Sequence, residues 1–202
     1  MNDENAIKLP RPRLKTGVTI EEALRRRRST RIFPDKEVSV EQVSQLLWAA
    51  QGVTGAFNER TAPSAGGTFP LEMYLVAGRI DRLSAGVYKY RFRAHELVRV
   101  GETDVRAELA EASLGQDCIR RCAAAAVLTA VYQRTIDEYG ERGTRYVHME
   151  VGHVGQNFHL LAGALGLGTV MVGAFDDAAV ARVLGLPEEE IPVYIMPLGR
   201  LP

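Results

Sequence analysis

The sequence predicts an α+β domain in which a mostly antiparallel sheet is flanked by helices, one of them long and central. Three observations carry that expectation. Short runs of β-branched and aromatic residues lie between turn signals; amphipathic segments with helix-cap signals alternate with them; and one stretch keeps apolar residues at helical spacing for over twenty positions.

The elements follow in order. The start, LPRPRLK, is rich in proline, so residues 1–17 are expected to form an irregular extension of a single domain spanning 1–202. Thr19 is a fair N-cap for TIEEALRRRR, which has acidic residues in its first turn and arginines in its last, the order that a helix dipole favours. Ser39 begins SVEQVSQLLWAAQG, with Gln42 three positions on as in a capping box and Gly52 as the stop. LEMYLVAG, GVYKYRF and HELVRVG read as strands of a meander or hairpin, the second with clear alternation. TDVRAELAEASL reads as an amphipathic helix, and AAAVLTAVY, short and apolar between charges, suits a buried strand. From about Thr144 to Leu167 a helix is expected to be buried on several sides, because small and apolar residues run throughout it. TVMVGAF is then a strand entering a turn, DDAAVARVLGL a helix capped by Asp176, and IPVYIMPLGRL the last strand.

Composition excludes several classes of function. The chain has 202 residues, 46% hydrophobic and 25% charged, as an ordinary globular protein does. Its 25 basic and 25 acidic residues cancel, which argues against a general nucleic-acid-binding surface. No apolar run reaches the ~18 residues of a spanning helix, and MNDENAIKLPRPRLK has no hydrophobic signal core, so a cytoplasmic protein without membrane contact is expected. Cys118 and Cys122 would share a helix face and read as small core residues, not as a redox pair or zinc site. His148, His153 and His159 are spaced by five and six, which does not align them as zinc ligands, and no metal site is expected. There is no G-x-G-x-x-G after a strand, since GALGLG has the wrong spacing, and neither a P-loop nor a G-x-S-x-G elbow.

What remains is a set of separated segments rich in small or cationic residues. RRRRSTRIF concentrates Arg25, Arg26, Arg27, Arg28 and Arg31 in a chain that is neutral overall. APSAGGTFP, TVMVGAFDD and PLGR follow later. Guanidinium groups and a serine hydroxyl match a phosphate monoester, and a loop of small residues can lie against a flat ring.

In order and spacing, these stretches resemble the nitroreductase-like FMN superfamily, and within it the SagB-type, azole-forming dehydrogenase branch. The resemblance extends from about Thr19 to Arg200 and is carried by RRSTRIF, RTAPSAGGTFPLEMYLV, YGERGTRYVHMEVGHVGQNFHLLAGALGLGTVMVGAFDD and VYIMPLGR. It implies a nitroreductase-like fold and a homodimer holding one FMN in each of two interface sites, with the long helix central to that interface. It further implies that Arg27, Arg28 and Ser29 contact the phosphate end, and that Arg31 lies beside the pyrimidine edge, where reduced flavin carries negative charge. Arg25 and Arg26 fit no such role. Pro63, Ser64, Ala65, Gly66 and Gly67 resemble the loop that the second subunit lays against the flavin, although nitroreductases proper often have Asn at the position of Gly67. Met171, Val172, Gly173 and Ala174 match the turn beside the reactive N5 edge, and Arg200 resembles a C-terminal phosphate contact.

The resemblance implies ping-pong hydride transfer from a donor such as NAD(P)H to a small acceptor, a nitro compound or quinone, with no obligatory acid or base. Azoline-to-azole oxidation of a modified peptide is the alternative, and a basic-patch module for nucleic acid or another anionic partner is the non-enzymatic one. In azole-forming members a Lys-Tyr pair precedes the long helix; here the pair is Glu138-Tyr139. Tyr139 is therefore the candidate catalytic residue only as a pocket-lining hydroxyl, and weak or no azoline oxidation is expected.

Overall fold

A computed structural model describes residues 6–202. Its elements are β1 (Ala6–Lys8), α1 (Ile20–Arg26), β2 (Val38–Ser39), α2 (Val40–Gln51), β3 (Leu71–Ala77), β4 (Ile80–Asp81), β5 (Gly86–Arg91) and β6 (Glu96–Gly101), followed by α3 (Arg106–Ala112) and α4 (Asp117–Arg120). Then come β7 (Ala124–Ala130), α5 (Gln133–Tyr139), α6 (Gly143–Ala164), β8 (Leu167–Thr169), α7 (Asp177–Leu184) and β9 (Ile191–Arg200).

Seven strands form one antiparallel sheet in the order β1-β6-β5-β3-β7-β9-β8, while β2 and β4 make a short parallel pair. Strand alternation divides the core into two faces. Leu71, Met73 and Leu75 of β3 and Ala126 and Leu128 of β7 point to one face, packed under Leu46 and Leu47 of α2 and Val147, Val154 and Phe158 of α6. Tyr74, Val76, Ala125 and Val127 point to the other, covered by Leu109 of α3, Ile119 of α4 and Val180 and Leu184 of α7. Helix α6 makes its closest backbone approach to the sheet at β8 and β9, toward one edge, and packs beside α2.

Local chemistry starts and stops the helices as the sequence predicts. Thr19 accepts from the Glu22 N–H, Ser39 and Gln42 form a reciprocal capping box, and Asp176 accepts from the Ala179 N–H. Three expectations need correction. Of the expected irregular extension 1–17, residues 1–5 lie outside the described residues, and the rest is not wholly irregular, because Ala6–Lys8 pair with Glu96–Val98 at the sheet edge. The strand expected at TVMVGAF lies earlier, at Leu167–Thr169, and past it only Val172 makes a bridge, to Ile195. The long helix ends at Ala164, where Gly166 takes a left-handed φ of 70° and turns the chain into β8. Helix α5 was not legible: QRTIDEY has no side-chain cap and little apolar periodicity, and it is held by packing against α6.

Candidate active site

The predicted site residues fall into two groups, one toward each end of α6. The first group gathers where β8 and β9 end. Ser29 bridges Thr169 of β8, the Thr30 N–H donates to the Thr169 carbonyl at 2.9 Å, and His159 of α6 bonds the Arg28 carbonyl at 2.9 Å. Desolvation lowers the His159 pKa, so this imidazole is a neutral structural donor near Arg27. Gly168 lets Thr30 approach, since a Cβ there would meet the Thr30 Cγ2 at 2.6 Å.

This geometry leaves the guanidinium groups outward. Arg28 bonds backbone carbonyls at Arg25 and Arg27, Arg200 bonds the Glu37 carbonyl at 3.1 Å, and among the described residues neither these two nor Arg27 and Arg31 pair with a carboxylate. Arg26, by contrast, is paired with Glu22 along α1. The Thr169 hydroxyl oxygen is buried behind Ser29 with no partner. Unpaired cations around an exposed serine are what a phosphate monoester needs.

The Met171–Ala174 turn reaches the same end through α4. The Val172 N–H donates to the Ile195 carbonyl at 2.9 Å and Gln116 donates to the Ala174 carbonyl at 3.0 Å. Cys118, two residues from Gln116, is buried and lies close enough to Arg31 for the arginine's charge to offset part of the rise in thiol pKa that burial causes. Both cysteines are free and buried, though helix α4 ends before Cys122. Tyr194 stands between this turn and α6: its ring is 3.5 Å from where a Gly173 Cβ would be and 3.2 Å from that of Gly155.

The second group is the loop Pro63–Gly67, which lies on α5 and the N-terminal half of α6. It is bonded tightly to itself: Gly67 N–H to the Ser64 carbonyl at 3.1 Å, Phe69 N–H to Ser64 Oγ at 2.9 Å, and Thr68 Oγ1 to the Ala65 carbonyl at 3.0 Å. Thr68 Oγ1 also meets Thr135 Oγ1 of α5 at 2.8 Å. Gly66 and Gly67 have φ of 57° and 67°, and a Cβ on Gly66 would meet Tyr139 Oη at 2.6 Å. Glycine is thus required at Gly66 twice over, by backbone conformation and by the approach of a tyrosine ring. Pro63, Gly66 and Gly67 are exposed, so the loop presents a surface almost without side chains. Tyr139 packs edge-on against Tyr146 at 5.1 Å, and Glu138 is exposed beside it.

The second group stands on a cluster that sequence reasoning missed. Arg60 lies between the rings of Phe69 and Phe92, 4.3 and 3.6 Å from their centroids, and donates to Gln51 Oε1 at 2.5 Å. Burial lowers its pKa to about 10, so it stays charged near neutrality. Glu150 of α6 is 3% exposed, and burial pushes its carboxyl up to about 7, against the pull of the nearby Ser64 hydroxyl and the charge of Arg60. The sequence held a signal for it: Glu150 stands on the same helix face as Val147, Val151, Val154 and Phe158, a carboxylate in an otherwise apolar stripe.

Known proteins resemble this chain in sequence and in fold. The model of the nitroreductase family matches residues 24–200. The chain belongs to the nitroreductase family, and so is an oxidoreductase. A protein of Methanocaldococcus jannaschii, provisionally named a nitroreductase, is 43% identical over 91% of this chain and 91% of its own length. The trifolitoxin-processing protein TfxB of Rhizobium leguminosarum is 32% identical over 74% of this chain, which spans 44% of that protein. A crystal structure from Anabaena variabilis, also provisionally a nitroreductase, has a TM-score of 0.87 at 31% identity over 98% of this chain and 42% of its own. The family match spans both groups, from the arginines after α1 to Arg200.

Among the described residues no helix is long and apolar enough to cross a membrane. His148 bonds Tyr132 at 2.7 Å and His159 bonds a backbone carbonyl, so these two side chains serve packing contacts.

Proposed function

We propose that the protein is an FMN-dependent oxidoreductase working as a homodimer, which takes hydride from a donor such as NAD(P)H and passes it to a small acceptor in a ping-pong cycle. The observation that carries this reading is the separation of the two groups. Glu150 behind the loop and His159 behind the arginines are nine residues apart, about 13 Å along the helix. The unpaired arginines suit a phosphate and the bare glycine loop suits a flat ring, but within one chain they stand at different places. A second copy with its α6 antiparallel would bring its loop to the first copy's arginines. Ile20, Leu24 and Met149, 59%, 52% and 52% exposed on α1 and α6, supply apolar surface for such a contact.

In that dimer Arg27, Arg28, Ser29 and Arg200 would hold the FMN phosphate, and Arg31 would offset charge on the reduced pyrimidine. Backbone of Pro63–Gly67 from the other subunit and of Met171–Ala174 would position the ring. Bound FMN would supply the two-electron hydride chemistry; the protein's residues bind, orient and exclude water.

A second reading is azoline oxidation on a modified peptide, favoured by the similarity to a trifolitoxin-processing protein. Glu138, an exposed acid in place of a lysine, weighs against it, because it differs from that lysine in charge and in hydrogen-bonding capacity. Equilibrium sedimentation and FMN titration of stripped protein test the main reading. A dimer binding one FMN per protomer, with a higher melting temperature when loaded, is expected. A monomer indifferent to FMN would sink it. Rapid oxidation of an azoline peptide, with inert nitro compounds and quinones, would favour the second reading instead.

A further inference from the structure

Behind the Pro63–Gly67 loop lies a buried carboxyl that packing alone does not explain. Glu150 is nine-tenths and more buried, and its Oε1 has no hydrogen-bond partner. Leaving one oxygen of a buried carboxylate unpartnered is costly, whereas a leucine or glutamine on this helix face would carry no charge to desolvate. Arg60 does not neutralise it by direct contact, since no ion pair joins them; it acts through its charge at longer range. Two further buried donors of the same cluster, Arg60 Nε and Gln51 Nε2, are likewise unpartnered. Three unpaired polar atoms on neighbouring side chains mark a polar interior kept open, not a completed structural network.

Ser64 connects that interior to the loop. Its Oγ accepts the Phe69 N–H at 2.9 Å, its hydroxyl lies close enough to Glu150 to favour the charged carboxylate, and the residue is only half-buried. With one lone pair fixed by backbone, the hydroxyl retains one donor and one acceptor position. That is the minimum a relay needs. We propose that Glu150 and Ser64 form a proton relay in which the buried carboxyl stores a proton and Ser64 exchanges it with a ligand held against the Pro63–Gly67 loop.

In the donating direction, the Glu150 O–H bond breaks as its proton moves to Ser64 Oγ, and the proton of Ser64 passes to an oxyanion or basic nitrogen on the ligand. The hydroxyl is regenerated, Glu150 is left as carboxylate near the Arg60 cation, and water reprotonates it. Both readings above change the proton count of their substrates, so such a store has a use in either. The other ionisable groups acting on the pair come through Arg60: Glu72 on β3, Arg134 on α5 and Arg93 in the β5–β6 turn. The carboxyl value near 7 suits exchange in both directions at neutral pH.

The relay rests on the flavin reading, and the experiment separates the two. Without flavin, infrared difference spectra should show a protonated carboxyl band that titrates near pH 7 in wild type and is missing in Glu150→Gln. A folded-state pKa raised above 4.5 adds stability that is complete below that pH and is lost as pH rises through about 7. The wild-type folding constant should therefore fall on the order of 100-fold between pH 4.5 and 7.5 relative to Glu150→Gln. With FMN bound, NAD(P)H–quinone turnover should show a pH profile with an inflection near 7 that Glu150→Gln and Ser64→Ala both abolish, at about tenfold loss of rate. Ser64→Thr, which keeps the hydroxyl, should restore it. Turnover whose pH profile is unchanged in Glu150→Gln would overturn the relay and leave the flavin reading standing. Wild type that binds no FMN would sink the flavin reading and the relay with it, while the carboxyl titration would still stand.

Discussion

The two ends of α6 present opposite chemistry. At the C-terminal end, Arg27, Arg28 and Arg31 leave their charges uncommitted, and the backbone that carries them is anchored by Thr169 and His159. At the N-terminal end, the Pro63–Gly67 loop shows almost no side chain; its bonds turn inward to Ser64, Thr68 and Thr135, and its ionisable groups are buried behind it. One end offers charge on an anchored segment, the other a shaped surface over a hidden acid. Charge tolerates small errors of position, whereas a backbone surface against a flat ligand does not, so the two ends should respond differently to substitution.

The largest effect is expected at the shaped end. Gly66→Val imposes a β-branched residue on a positive φ and drives a Cβ into Tyr139, which should cost about 1–3 kcal/mol of stability and abolish FMN binding. Thermal melts of the stripped and FMN-mixed protein check it; a variant that still binds FMN would show that the loop is not a contact surface. At the charged end, Arg28→Ala with Arg31→Ala should weaken FMN about 10- to 100-fold in a fluorescence titration while leaving the melt of stripped protein unchanged. Arg25→Ala with Arg26→Ala removes the same charge and is the control. Equal losses from the two pairs would reduce the charged end to general electrostatic attraction.

Smaller effects sharpen the contrast. Thr68→Val removes the bond to the Ala65 carbonyl and leaves the buried Thr135 hydroxyl unpaired, a loss of about 1–2 kcal/mol in urea unfolding. Arg26→Ala removes only an exposed pair with Glu22 and should leave the melting temperature essentially where it is. A cost at Arg26 as large as at Thr68 would mean that the charged end is also a packed one.

The sequence by itself determined what depends on neighbours along the chain. Thr19, Ser39 and Asp176 start helices because a side-chain oxygen three residues from a free N–H closes a bond whatever the rest of the fold does. The meander of β3, β5 and β6, the existence of β7 as a buried strand and the apolar α6 followed from periodicity in the same way, whereas the place of β7 between β3 and β9 did not. The order of RRSTR, PSAGG and MVGA was enough for the family. The distances between those segments it left open, because they are set by where α6 and β8 carry them. Only the tertiary structure decided that the edge strand Ala6–Lys8 would pair with β6, a contact whose partners lie some ninety positions apart. The same holds for Glu150, Ser64 and Arg60, three ordinary residues in the sequence. Burial and the lack of a partner make the carboxyl unusual, and both are properties of the packed interior, to which segments remote in the chain each contribute one wall.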